Sequence, residues 1–380
     1  MPTEIAFELP YTEWGWKVGI YIAMIGIAGG AYLTGYAADL LSFRSGSEED
    51  ARRHGRVAQF GYLVGLGGLV VGPPVLLSHL ATPFRAMMIP LTMTNLGSWM
   101  AIGSYLLIAF GLGTALMFLW VTFGRERPHA PDLTAPDEGA AATDGGRDVA
   151  SDGGADEPAR AATEGGAAEG VRDVFDRARD PLDAFADYTR PSEPVRLAIG
   201  GFFAVFAAGV VLYSAMAYGS GPTERVAMWD PTFLVPVQIL GGLGAGLTAA
   251  VAIAAAVERR PGRVTRRYAL AAGGLLVATL AAIVVQLVYL PVANADAAPA
   301  VENLLTTHAT LFVGGAVIAG LLVPIALLVG ATYARRREAL SPSGVAASYA
   351  VAGLLVVGGK ITLALAYLQA AEFTTIPLPM

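Results

Sequence analysis

Two histidines, His79 and His308, stand at the ends of long apolar runs in this chain, where an imidazole can give or take a proton near neutral pH. Other polar groups fall around them. Glu13, Trp14, Trp16 and Lys17 crowd the start of the first run, Asn95, Ser98 and Trp99 open the third, and Glu372 follows the last. Lys360 is set apart, mid-way along "LLVVGGKITLALAYLQAAEF", and is one of two lysines against 23 arginines. No carboxylate is expected at its depth. Asp39 and Glu258 fall near the far ends of their runs, and Glu372 is 12 residues on, about 18 Å along a helix. The amine is then either neutral, or charged and solvated by backbone carbonyls and water. Two roles stay open for it: a polar clamp between the halves of a helix bundle, or, with Glu372, a proton relay, since lysine can release a proton that arginine would keep.

The same inventory limits the chemistry. A haem held by two histidines needs them face to face at one depth. His54 falls in a loop and His129 in a polar tract, which leaves only His79 and His308 as a pair. Carboxylates and histidines do not cluster at ligand spacing, so neither haem nor metal is expected in this chain. Without cysteine it carries no disulfide and no iron–sulfur cluster of its own. No P-loop, nucleophile elbow or zinc motif occurs, so the chain alone is not expected to act on a water-soluble substrate, and no nucleic-acid partner is indicated.

The elements that must position these groups are apolar. Hydrophobic residues make up 54% of the 380-residue chain, too many for a soluble globule. Eight apolar spans can be drawn at about 14–42, 57–80, 97–123, 195–219, 232–257, 266–290, 308–333 and 343–371, each long enough for a bilayer core. Glycine is frequent inside them ("GIAGGAY", "GGLGAGL"), so they are expected to pack closely. The expected fold is an all-α polytopic membrane protein of eight transmembrane helices in two packed four-helix bundles. Arginine alternates between loops: four in "FRSGSEEDARRHGR", five in "ERRPGRVTRR" and three in "ARRRE", against Arg85 alone, Arg225 alone and none in "NADAAPAVEN". By the positive-inside rule the protein is multi-pass in the cytoplasmic membrane with both termini outside. Most of the polar groups in the spans then gather toward the outer face. Trp and Tyr alone would be an ordinary interfacial belt; together with His79, His308, Lys17 and Glu13 they suggest a site.

Between the third and fourth spans charge and composition change. Residues 125–193 hold 17 acidic against 8 basic residues, while the rest of the chain holds 14 against 17. The chain thus divides into 1–124 with three helices, an acidic, largely disordered cytoplasmic loop at 125–193, and 194–380 with five helices. Within the loop "VRDVFDRARDPLDAFADY" suggests a short surface helix interrupted at Pro181. The acidic load and the preference for arginine over lysine suggest a salt-adapted, halophilic source.

Several stretches resemble the polysulfide-reductase-type membrane subunits, the NrfD/PsrC family. "EWGWKVGIYIAMIGIAGGAYL" is similar to that family's first helix, with a tryptophan-bearing start and a G-x-A-G-G-A patch. "HLATPFRAMMIPLTMTNLGSWM" resembles its loop of G-R-P-x-R-F followed by S-x-M-S-W-G-S-W, but has Asn95 and Leu96 at variant positions and only Arg85 of two arginines. "HATLFVGGAVIAGLLVPIALL" fits a G-x-x-x-P helix, and "VVGGKITLALAYLQAAE" the closing G-G-x-x-L-R-Y helix, where the position of Lys360 is usually arginine. The resemblance implies a subunit that anchors a four-cluster ferredoxin-like iron–sulfur subunit and a molybdopterin catalytic subunit, and exchanges electrons with membrane quinone, menaquinone-type, in anaerobic-type respiration. On that reading His79 or His308 hydrogen-bonds one quinone carbonyl, Glu13 relays protons to the outside, Lys17 and Asn95 polarise the other carbonyl, and Trp14, Trp16 and Trp99 wall the headgroup, with Ser98 beside it. Arg85 faces the docking partner, and membrane lipid covers the rest. A quinol-oxidising, cytochrome-linked complex is the nearest alternative. An ion-coupled transporter is the rival from another class, and the lack of mid-membrane carboxylates argues against it.

Overall fold

The computed structural model of the chain describes residues 15–79, 88, 98–124, 179–218 and 226–371. Glu13, Trp14, Arg85, Asn95 and Glu372 lie outside the described residues, as does the acidic tract over 125–178. Among the described residues there is no strand. Among the described residues eight helices are long and apolar enough to cross a membrane: α1 (Trp16–Phe43), α2 (Glu48–Leu77), α3 (Trp99–Thr122), α4 (Glu193–Met216), α5 (Pro231–Glu258), α6 (Arg263–Ala293), α7 (Thr310–Arg336) and α8 (Pro342–Gln369).

Each helix follows its apolar run to within a few residues except α2, which begins at Glu48 instead of near 57. The extra turns are built from charge. Ser47 caps the N-terminus by accepting from the Asp50 N–H, and three acids occupy the first turn, where the helix dipole favours them. Glu48 pairs with Arg52 and Glu49 with Arg53 at i, i+4 spacing. What reads as a charged loop is therefore mostly helix.

α1 packs on α2 and α4, and α3 closes the ring against both; α5 packs on α6 and α8, and α7 closes a second ring. Two four-helix groups joined through α1 and α5 have this contact pattern. The join is made by glycine. A Cβ on Gly30 would lie 2.0 Å from the Gly242 carbonyl oxygen, and one on Gly246 2.2 Å from the Ala31 nitrogen. The two backbones touch there, which no larger residue allows. α1 and α5 are accordingly the most enclosed helices. The others turn apolar side chains outward, among them Val70, Ile108, Val205, Val288 and Leu354, the last 77% exposed. So continuous an apolar girdle matches lipid.

α1 ends, α2 starts, α4 starts, α5 ends and α6 starts at one end of the molecule, the arginine-rich one, and buried polar contacts tie them there. Arg196 of α4 forms a two-pronged ion pair with Asp39 of α1, with Nη2 2.8 Å from Oδ1, and the Tyr62 hydroxyl of α2 donates to Asp39 Oδ2 at 3.3 Å. Both charged residues are buried. Glu258 of α5 sits 3.3 Å from Arg56 of α2 and accepts from Thr265 of α6 at 2.8 Å. On α6, Tyr268 meets His54 of α2 at 2.7 Å.

A further helix runs over 179–189. Pro181 lies within this described helical stretch, and the preceding part of the expected surface helix, 171–178, lies outside the described residues. The 179–189 helix packs on the end of α3: Trp120 Nε1 donates to Thr189 Oγ1 at 3.1 Å, Asp183 accepts from the Gly124 N–H at 2.7 Å, and Arg190 donates to the Phe123 carbonyl at 2.9 Å.

α7 is irregular. From Thr310 to Leu322 its hydrogen bonds follow the wider π pattern, and the α pattern resumes at Val323. Pro324 sits at that junction. It has no N–H to give to the preceding turn, so an unbroken α ladder cannot run through it.

Candidate functional site

Lys360 lies on the inward face of α8 and is only 6% exposed. Its Nζ donates to Gln238 Oε1 of α5 at 2.6 Å. Glycine makes the room. A Cβ on Gly241, one turn from Gln238, would lie 3.0 Å from Nζ. Gly359, next to Lys360, meets Gly320 of the π segment so closely that a Cβ there would be 2.2 Å from the Gly320 Cα. Beside the amine is a cavity of about 20 Å³, lined also by Thr279 of α6 and Ala316 of α7, large enough for one water molecule. The partner of the lysine is thus the side-chain amide of Gln238.

A second polar contact lies two turns along the same face of α8, about 10 Å toward the arginine-poor end. The Tyr367 hydroxyl donates to Gln286 Oε1 of α6 at 2.7 Å, and Gln286 Nε2 donates to the Met228 carbonyl at 3.4 Å. Trp229 Nε1 donates to the Tyr367 carbonyl at 3.1 Å, and the Tyr367 ring stacks on Phe312 of α7. Every one of these side chains is buried. α5, α6 and α8 therefore enclose a ladder of neutral and basic polar groups, Gln286–Tyr367 and then Gln238–Lys360. Its chemistry is hydrogen bonding and proton exchange; among the described residues no three His, Asp or Glu side chains come together.

Trp16 and Lys17, at the start of α1, are at the same arginine-poor end. Trp16 opens α1 and is 59% exposed. Lys17 Nζ lies 5.8 Å from the Trp16 ring centre and donates to the Ser78 carbonyl at 2.9 Å, which holds the start of α1 against the end of α2. His79 follows Ser78 directly and is half-buried. Ser98 is the residue before α3, and Trp99 its first residue, packed partly against the core. His308 is half-buried at the entry to α7: its N–H donates to the Asn303 carbonyl and its carbonyl accepts from Phe312. Lys17 and His79 are thus brought together, whereas His308 belongs to the other four-helix group.

Sequence reading singled out Lys360 but not its pairing with Gln238, nor the contact of Gln286 with Tyr367, nor Trp229. Tyr367 carried a signal. It lies seven residues from Lys360, on one helical face. Arg196 was missed because a charge at the mouth of an apolar run looks like an ordinary flank.

Residues 6–137, about a third of the chain, match the family model described as polysulphide reductase, NrfD. The match covers α1 to α3. No curated protein matches the chain.

Proposed function

We propose, on the premise that this chain is an NrfD-type membrane subunit, that it exchanges electrons between membrane quinol and an iron–sulfur subunit docked at its arginine-poor end. The match over residues 6–137 is the observation that carries this reading. The orientation follows the positive-inside rule, with the arginine-rich end in the cytoplasm and both termini outside. The docked partners would be a four-cluster ferredoxin-like subunit and, beyond it, a molybdopterin catalytic subunit. Electrons leave the quinol for the partner's nearest cluster, and the two protons leave for water.

A quinone needs hydrogen-bond partners at its two oxygens, a proton route and an apolar groove for its tail. At the arginine-poor end His79 is the candidate donor and acceptor on one side and His308 on the other, with Lys17, Asn95 and Ser98 near the second oxygen and Trp14, Trp16 and Trp99 as the walls. Glu13 is the candidate exit for protons and Arg85 the candidate contact to the partner. Tyr367, Gln286, Gln238 and Lys360 extend hydrogen-bonding groups from that end into α5, α6 and α8, so a relay through Lys360 is built from this chain's own side chains. Menaquinone is the expected quinone class, and the favoured direction is quinol oxidation feeding a reductase.

The test is the double variant His79→Ala/His308→Ala in the intact complex. Quinol-dependent reduction of the terminal acceptor should fall by at least tenfold, on the scale of losing a general acid–base group, while reduction from an artificial donor that feeds the catalytic subunit is kept. Normal quinol turnover in the double variant refutes the site. Lys360→Met separates relay from clamp: slowed quinol turnover supports the relay, and unchanged turnover leaves the clamp alone.

A further inference from the structure

At the arginine-rich end the α5–α6 and α7–α8 connections form one pocket of about 710 Å³ that the quinone reading does not use. Arg259, Arg260 and Arg266 line it from one side, and Arg335 and Arg336 from the other; Glu338 is the one acid among the lining residues. None of the five guanidinium groups is ion-paired to a described carboxylate, although the nearby arginines Arg52, Arg53, Arg56 and Arg196 all are. The backbone is shaped for this. Arg259 and Glu338 take left-handed conformations, with φ of 52° and 58°, which turn the chain sharply out of α5 and α7. Five unpaired positive charges converging on one cavity repel one another and call for a counter-charge of more than one unit.

The position of the pocket selects the counter-charge. It lies where four apolar helices end, the depth of phospholipid headgroups. Tyr333, exposed on α7, has the guanidinium of the lining residue Arg336 5.3 Å from its ring centre, and Val257, exposed on α5, lies two residues before the lining residue Arg259. An exposed tyrosine beside arginine is an interfacial arrangement. Guanidinium forks match phosphate oxygens bidentately, and an excess of four positive charges over Glu338 suits two phosphates better than one.

We infer that this pocket binds the headgroup of an anionic phospholipid, best one bearing two phosphates, and that the bound lipid ties the α5–α6 connection to the α7–α8 connection. The lipid enters with its phosphates among the five arginines and its acyl chains along the apolar surface beside Val257 and Tyr333. Nothing in this reading depends on quinone binding.

The full chain in detergent, examined by native mass spectrometry with a diphosphatidyl lipid, with phosphatidylcholine and with inorganic phosphate or pyrophosphate as competitors, tests it. The wild type should keep the diphosphatidyl lipid in preference to phosphatidylcholine. The variant Arg260→Gln/Arg266→Gln/Arg335→Gln should weaken that binding about a hundredfold, from three charges near the surface. The same three changed to Lys should keep most of it, which also shows that the mutated positions tolerate substitution. Equal binding by wild type and the Gln variant overturns the inference. So does displacement of the lipid by free phosphate at equal concentration, which would make the site one for a soluble anion. Lipid uptake that begins only after the acidic tract 126–176 is deleted overturns it too, since the chain's own carboxylates would then be the occupant.

Discussion

Replacing Arg196 by Leu removes one partner of the buried ion pair that joins α1 to α4, and its cost can be worked from the geometry. Asp39 would keep the Tyr62 hydroxyl at 3.3 Å but lose both guanidinium contacts, in a place where its side chain is 5% exposed. Breaking a buried pair from one side typically costs about 3–5 kcal/mol. The reverse change, Asp39→Leu, should cost less, because Arg196 still has Glu193 at 3.8 Å, a carboxylate that is 37% exposed. Removing both charges together, Asp39→Leu/Arg196→Leu, should recover most of the loss, since an apolar pair of similar volume replaces a desolvated one. Arg196→Lys keeps the charge but not the fork, so its cost should be intermediate, about 1–2 kcal/mol. Reversible unfolding in mixed micelles, read by tryptophan fluorescence, gives all four values as one double-mutant cycle plus a control. A single-variant cost below about 1 kcal/mol, or a double variant as damaged as the two singles added, would refute the claim that this pair is a desolvated, mutually dependent unit.

Other outcomes follow from single contacts. Gly30→Leu should prevent α1 and α5 from closing and yield aggregated or poorly helical protein by size-exclusion chromatography and circular dichroism, whereas Gly67→Ala, with nothing within 4 Å, should behave as wild type. Gln238→Leu strips Lys360 of its acceptor and should cost about 1.5–3 kcal/mol in the same micelle unfolding assay, with Lys360→Met/Gln238→Leu less damaged than Gln238→Leu alone. Trp120→Phe removes the donor to Thr189 and should make the 179–189 helix more susceptible to limited proteolysis without shifting global unfolding by more than about 1 kcal/mol.

The helices were legible because a bilayer asks for long apolar runs, and such runs are visible in one dimension. Their limits agree with the structure to within about three residues at nearly every end, as with 290 against Ala293 and 371 against Gln369. They disagree at α2, where ion pairs one turn apart extend the helix beyond the apolar part. Alternating arginine also grouped the loops correctly: contacts such as Arg56–Glu258 and the pocket shared by Arg266 and Arg335 put those connections at one end. Pairings were not legible. Asp39 and Arg196 are 157 residues apart, Gln238 and Lys360 are 122 apart, and only the adjacency of α1 with α4 and of α5 with α8 brings them together. The wider turns of α7 left no pattern in hydrophobicity, since both helix types bury one apolar stripe. The proline at 324 was visible, but its effect on the preceding hydrogen bonds was not.

The proposed function requires that this chain hold quinone itself, at its arginine-poor end. Purified full-length chain in nanodiscs of defined lipid, titrated with a menaquinone analogue and followed by quenching of its tryptophans, measures this directly. Saturable quenching, weakened at least tenfold by His79→Ala/His308→Ala and unchanged by the arginine-pocket variant, is the predicted result. Quenching that rises in simple proportion to the quinone partitioned into the lipid, and equally in wild type and the histidine variant, would show that the chain has no quinone site of its own there.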